Sequence, residues 1–239
     1  MKQYELDSRN EGIPLNKTAG RFYFEKFINN FSSNKDITKL LFNGTTDNKQ
    51  SKEIFKRFVC IINLETNAYC NRHCHYCPLN IFERKNNINI DDKLFLKIIN
   101  ELESIQYSST ISLNLYNEPL SDTKIFERIK IIKTRLKNVF LRFNSNGDFL
   151  DIATLKKLES CGLDSINITL HTTKINTYND TNSKEKIDKF YQKLKLDKPQ
   201  YIITSNKNIT SNIQFGTLNM IVNTTNWDLY GNDRGGGGE

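Results

Sequence analysis

No run of about 18 apolar residues occurs anywhere in the chain, so no membrane-spanning helix is expected. The opening Met1-Lys-Gln-Tyr-Glu-Leu-Asp-Ser8 is too polar to form the apolar core of a signal peptide. Cysteine is scarce and odd in number, five in 239 residues, which argues against a secreted disulfide scaffold. Blocks of like charge are also missing. The net charge is +7 with a pI near 9.0, yet 34 basic residues are interspersed with 27 acidic ones. That pattern describes a lysine-rich solvated surface better than a nucleic-acid tract, and it suits an acidic substrate or a negatively charged protein partner. These absences together predict a cytoplasmic protein in a reducing environment. Enough is present for a sizeable core, with 37% hydrophobic residues, 15 Phe and 10 Tyr, and the length allows one domain with a small appendage.

Three of the five cysteines lie on one short stretch, Ala68-Tyr-Cys-Asn-Arg-His-Cys-His-Tyr-Cys-Pro78. Cys70, Cys74 and Cys77 are soft ligands that can meet three corners of a cubic iron–sulfur cluster, leaving the fourth iron open. An open metal position is a reactive one, because substrate or cofactor can take it. His73 and His75 lie among the thiols, so zinc, which takes mixed sulfur and nitrogen ligands, is the competing occupant. A structural zinc site usually divides its ligands into two separated pairs, and no second cysteine pair exists in this sequence.

Hydrophobic periodicity places this motif in a strand–helix alternation. Val59, Ile61 and Ile62 read as a buried strand within Arg57 to Glu65, leading into the cysteines. Asp91 to Ile105 follows as a helix with Leu94, Ile98, Leu102 and Ile105 on one stripe and Asp91 or Asp92 as its cap. Thr110 to Tyr116 alternates as a strand, Ser121 to Leu136 has helical period, and Val139 to Phe143 is a strand. Leu150 to Ser160 is a helix stopping at Gly162, Ser165 to His171 is a strand, Ser183 to Leu194 a weaker helix, and Ile213 to Val222 a late strand. Before these, Arg21 to Phe31 and Lys35 to Phe42 have helical spacing. Short connections between alternating strands and helices predict parallel strands with right-handed crossovers. In such folds the ligand sites gather at the loops after the strands.

The spacing CxxxCxΦC, with Tyr76 as the aromatic residue before the last cysteine, resembles the radical S-adenosylmethionine (SAM) superfamily. The resemblance implies an α/β fold, a partial (β/α)6 TIM-type barrel with parallel strands. It also implies two cofactors, a 4Fe-4S cluster held by Cys70, Cys74 and Cys77, and SAM chelated by the free iron. Reductive cleavage of SAM would give methionine and a 5′-deoxyadenosyl radical that abstracts hydrogen from the substrate. Asn117-Glu118-Pro119 resembles the family's GGEP motif, which binds the methionine amino group of SAM, with Tyr116 and Asn117 where the glycines would stand. Asn144-Ser145-Asn146-Gly147 resembles the TNG segment facing ribose and carboxylate, so Ser145 and Asn146 are SAM candidates. Thr169, with His171 beside it, is the candidate on the fourth strand. Trp227-Asp-Leu-Tyr-Gly-Asn-Asp-Arg-Gly-Gly236 resembles the NRGG stretch of SPASM-type members, interrupted by Asp233. Cys60 and Cys161 do not look like ligands for an auxiliary cluster.

These expectations divide the chain into an N-terminal helical extension (1–56), a core barrel (57–223) and a C-terminal tail (224–239). They predict hydrogen abstraction from a peptide or sugar-like metabolite, with a flavodoxin- or ferredoxin-like electron donor. Two alternatives stay open at this point: an activase that places a glycyl radical on a partner protein, and a zinc- or nucleic-acid-binding module without redox chemistry.

Overall fold

The computed structural model describes residues 47–74, 77–80, 88–171, 179–203 and 208–225. The expected helices at 21–31 and 35–42 and the stretch 227–236 lie outside them. A helix, α1 (Asn48–Phe58), precedes strand β1 (Ile61–Asn63). Then come α2 (Asp92–Ser104), β2 (Thr110–Ser112), α3 (Ile125–Arg135), β3 (Phe140–Ser145), α4 (Ile152–Ser160), β4 (Ser165–Thr169) and α5 (Asp180–Lys193). Three strands end the series: β5 (Ile202–Ile203), β6 (Ile209–Phe215) and β7 (Leu218–Thr224). Among the described residues no helix is long and apolar enough to cross a membrane.

The strands form one sheet in the order β1-β2-β3-β4-β7-β6-β5, parallel from β1 through β4 to β7 and antiparallel beyond. This is the expected α/β architecture with a mostly parallel sheet, and among the described residues the sheet does not close into a full barrel. Alternation along the strands sends Ile111, Leu141, Phe143, Ile166, Ile168, Met220 and Val222 into a core shared with Phe95, Ile99, Ile129, Leu155 and Ile187 of the helices. Four of the five described helices, all but α3, start at a side-chain cap. The Asp91 side chain accepts the Lys93 and Leu94 amides, Asp151 accepts Thr154, Asn179 accepts Asn182, and Asp47 and Gln50 cap α1 reciprocally.

Several boundaries differ from the sequence expectation. Arg57 and Phe58 finish α1 instead of starting a strand. The buried stripe of α2 is Phe95, Ile99 and Leu102, while Leu94 is half exposed. Both stripes satisfy helical spacing, and the helix turns its aromatic ring inward, where burial of the largest apolar area contributes most. Leu115 is 44% exposed because regular pairing of β2 stops at Ser112 and the chain turns away into a loop. A short 3-10 turn (Pro119–Ser121) separates that loop from α3. Ile213 to Val222 is two strands, not one, since Gly216 at φ 57° makes a two-residue turn that pairs Phe215 with Leu218. Glycine first is the arrangement such tight hairpin loops favour.

Candidate functional site

Parallel pairing puts the loops after β1, β2, β3 and β4 at one edge of the sheet. The loop after β1 carries the cysteines. Its neck is closed by an antiparallel bridge between Asn67 and Asn89 and by backbone bonds Ala68 N to Ile88 O (2.8 Å) and Ile90 N to Thr66 O (2.9 Å). Arg128 of α3, fully buried, clasps the same neck. Its guanidinium donates to Thr66 O at 2.9 Å, Ile90 O at 3.0 Å and Asp122 at 2.5 Å.

Beyond the neck, Cys70, Cys74 and Cys77 are half-buried and none is in a disulfide, and the Cys77 amide donates to Cys74 O at 2.9 Å. Burial pushes the Cys70 thiol up from its ordinary range, the Arg72 amide pulls it back in part, and the charges of Glu118, Cys74 and Cys77 raise it further. His73 is exposed, and His75 and Tyr76 lie outside the described residues. Among the described residues no three His, Cys, Asp or Glu side chains are gathered as a ready metal-binding group. The thiols nevertheless fit an iron–sulfur cluster by their chemistry: three soft donors on one loop, none spent in a disulfide.

Glu118 ties this loop to the next two. Its amide donates to Tyr69 O at 2.8 Å. Its buried carboxylate accepts Ser145 Oγ (2.8 Å), the Asn146 amide (2.7 Å) and the Leu120 amide (3.1 Å). Burial pushes this carboxyl above the ordinary glutamate range, against the downward pull of those three donors, with Asp148 adding a further upward push. Asn117 is turned inward: its Nδ2 donates to Asn67 Oδ1 (2.7 Å) and Leu113 O (3.3 Å), and its Oδ1 accepts the Leu115 amide (3.2 Å). Thr169 sits at the end of β4 in register with Asn223, outside the Glu118 network. His171 follows it, and its carbonyl accepts Lys186 Nζ at 3.4 Å.

Four participants were not legible from the sequence. Arg72 makes a two-pronged contact with Asp148, Nε to Oδ2 at 2.7 Å and a terminal nitrogen to Oδ1 at 2.5 Å. Asn71 bridges Asp148 (2.8 Å) and Asn146 (2.7 Å). The Arg72 bond holds the Asp148 carboxyl below the usual carboxylate range. Glu65 accepts the amides of Tyr116 (2.5 Å) and Asn117 (2.9 Å), fixing the β2 loop at the positions where the family motif has glycines. Adjacent cysteines mark Asn71 and Arg72 as loop residues, but only the pairing of β2 with both β1 and β3 brings Asp148 to them. Opposite this latch, burial and then the nearby Arg72 hold the Lys186 ammonium below the ordinary lysine range.

A family model described as the radical SAM superfamily matches residues 64–201, more than half of the chain. Among curated proteins, the S-adenosyl-L-methionine-dependent 2-deoxy-scyllo-inosamine dehydrogenase of Niallia circulans is 29% identical over 111 residues, 46% of this chain and 44% of that protein. The chain therefore matches less than half the length of that relative. Two solved structures are also similar. The crystal structure of BtrN in complex with AdoMet and 2-DOIA has 28% identity and a TM-score of 0.45, covering 46% of this chain and 45% of that one. Selenomethionine BtrN in an open conformation has 26% identity and a TM-score of 0.45, covering 48% and 51%.

Proposed function

The chain belongs to the radical SAM superfamily, and from that premise we propose that it is an enzyme that abstracts hydrogen from a peptide or sugar-like metabolite. The cofactors of this chemistry are a 4Fe-4S cluster and SAM. When bound, the reduced cluster would supply one electron to the sulfonium of SAM, releasing methionine and giving a 5′-deoxyadenosyl radical able to take a hydrogen atom from the substrate.

The protein's own part is to hold, orient and exclude. Cys70, Cys74 and Cys77 would hold the cluster as thiolates, and Tyr76 would pack beside it. Glu118 would present its carboxylate to the methionine amino group, with Asn117 shaping the loop behind it. Ser145, Asn146 and Thr169 would face the carboxylate and ribose. The observation that carries this proposal is the bonded chain Glu118–Asn146–Asn71–Asp148–Arg72, which ties the cysteine loop to the loops after β2 and β3. Such preorganisation is what reactions of fixed geometry require. The electron would come from a flavodoxin- or ferredoxin-like donor, matching the basic surface. Residues 57–223 would form the catalytic core, with 1–56 and 224–239 as flanking segments. An inosamine dehydrogenase among the relatives favours oxidation of a hydroxyl-bearing carbon over the activase alternative.

Anaerobic reconstitution, dithionite reduction and addition of SAM test this directly. Four irons per chain, a SAM-dependent change in the reduced cluster's EPR signal and release of 5′-deoxyadenosine are expected. A colourless protein that binds only zinc would overturn the proposal.

A further inference from the structure

The face of the sheet opposite the helices has an unusual lining. None of the strands β1 to β7 contains an Asp or Glu, and their one charged residue is Arg142. At the ends nearest the cysteine loop, four neighbouring strands present an asparagine: Asn114 just after β2, Asn144 in β3, Asn167 in β4 and Asn223 in β7. Asparagine is disfavoured in strands, so four side by side are not a packing solution.

They form one polarised row. Asn223 Nδ2 donates to Asn167 Oδ1 at 2.7 Å, Asn167 Nδ2 donates to Asn144 Oδ1 at 3.3 Å, and Arg142 donates to that same oxygen at 2.7 Å. Asn114 Oδ1 accepts the Asn144 amide at 2.7 Å and Ser112 Oγ at 3.0 Å. The oxygens are thus largely taken while N–H hydrogens remain: each amide nitrogen carries two, and the row uses one on Asn223, one on Asn167 and none on Asn144 or Asn114. Asn144, Asn167 and Asn223 are only half-buried, so these amide donors are open to a ligand.

We propose that this amide row is the substrate floor and that it selects a ring-shaped polyol without an ammonium group. The proposal rests on the radical SAM reading above and deepens it. Surplus donors ask for a ligand rich in acceptor oxygens. Among the described residues the strands of this floor carry no carboxylate to pair with an ammonium group. Neighbouring strands lie about 4.8 Å apart, comparable to the separation of equatorial oxygens on alternate carbons of a six-membered ring. Carbonyls on one side of an extended peptide repeat every second residue, at about 6.8 Å, and do not match.

The test uses the reconstituted holoenzyme with SAM and three probes: myo-inositol, an aminocyclitol (2-deoxystreptamine) and a capped tripeptide. Titration calorimetry should detect myo-inositol in preference to the other two. Asn167→Leu and Asn223→Val should each weaken that binding about tenfold, the loss expected for one hydrogen bond, while the SAM-induced EPR change persists. Preference for the tripeptide or the amine, or inositol binding unaltered in both variants, overturns the proposal. So does loss of the SAM signal together with inositol binding in both variants, which would make the row part of the SAM site or the fold. A wild-type protein that binds inositol but gives no SAM signal would sink the radical SAM reading and leave the polyol floor standing.

Discussion

Replacing Arg128 by methionine removes one cation from a place where its absence cannot be filled by water. The side chains of Arg128 and Asp122 are 3% and 0% exposed. The guanidinium lies 5.5 Å from the Phe95 ring centroid and donates to the backbone on both sides of the cysteine-loop neck. Arg128→Met therefore deletes the clasp and strands Asp122 as a buried carboxylate, a change worth about 3–5 kcal/mol. Among the described residues Arg128 Nε has no hydrogen-bond partner, so part of the guanidinium's desolvation is not recovered, and the lower half of that range is expected. In a domain of this size the loss lowers the melting temperature by roughly 6–16 °C. Because the damage comes from the orphaned charge, Arg128→Met combined with Asp122→Leu should recover most of it. A residual deficit of about 1 kcal/mol should remain, since Asp122 Oδ1 also accepts the Lys124 amide at 2.9 Å. Urea denaturation of the reduced, cluster-free protein followed by circular dichroism measures both variants. A single variant within about 1 kcal/mol of wild type, or a double variant as unstable as the summed single changes, would refute this account of the neck.

Further tests address the other supports. Asp148→Asn weakens a pair whose side chains are 23% and 37% exposed, so about 1 kcal/mol after solvent screening, or roughly fivefold faster alkylation of Cys70 and Cys74, is expected; equal labelling rates would remove the latch from the argument. Since Arg72 depresses the Asp148 carboxyl, the latch contributes stability above the unfolded pKa of Asp and loses it as pH falls through the lower folded value, so the difference in urea midpoint between wild type and Asp148→Asn should hold at neutral pH and close only below about pH 4. Glu118 runs the other way. Its raised folded pKa means its contribution is complete below the unfolded value and is lost as pH rises through the folded one, so cluster-free wild type should lose stability on going from acid to neutral pH in a step that Glu118→Gln abolishes. The same pH dependence in both proteins would exclude Glu118 as its source. Gly147→Ala should cost roughly 1–3 kcal/mol, because φ is 77° and the new Cβ would lie 2.9 Å from Ile168 Cγ2 and 3.0 Å from Phe190 Cε2; a urea midpoint unchanged from wild type would contradict the packing there.

What the sequence determined by itself was local chemistry and local period. Cys70, Cys74 and Cys77 are spaced within one loop, so their meaning needs no distant partner, and alternating strand and helix periods announced the parallel α/β sheet. The cap Asp91 was written just ahead of its apolar stripe, while Asp151, expected inside a helix from Leu150, caps one that starts at Ile152. The tertiary structure decided everything that depends on register. Arg72 meets Asp148 across 76 positions, Arg128 reaches back 62 to Thr66, and the amide row joins residues from 114 to 223. It also chose which of two valid stripes α2 buries, and it turned 213–222 back at Gly216 into a hairpin. The physical reason is the same in each case: a periodic pattern fixes which way a side chain points relative to its neighbours, while its partner is set by how strands far apart in sequence align, and that alignment is settled by the packing of the whole sheet.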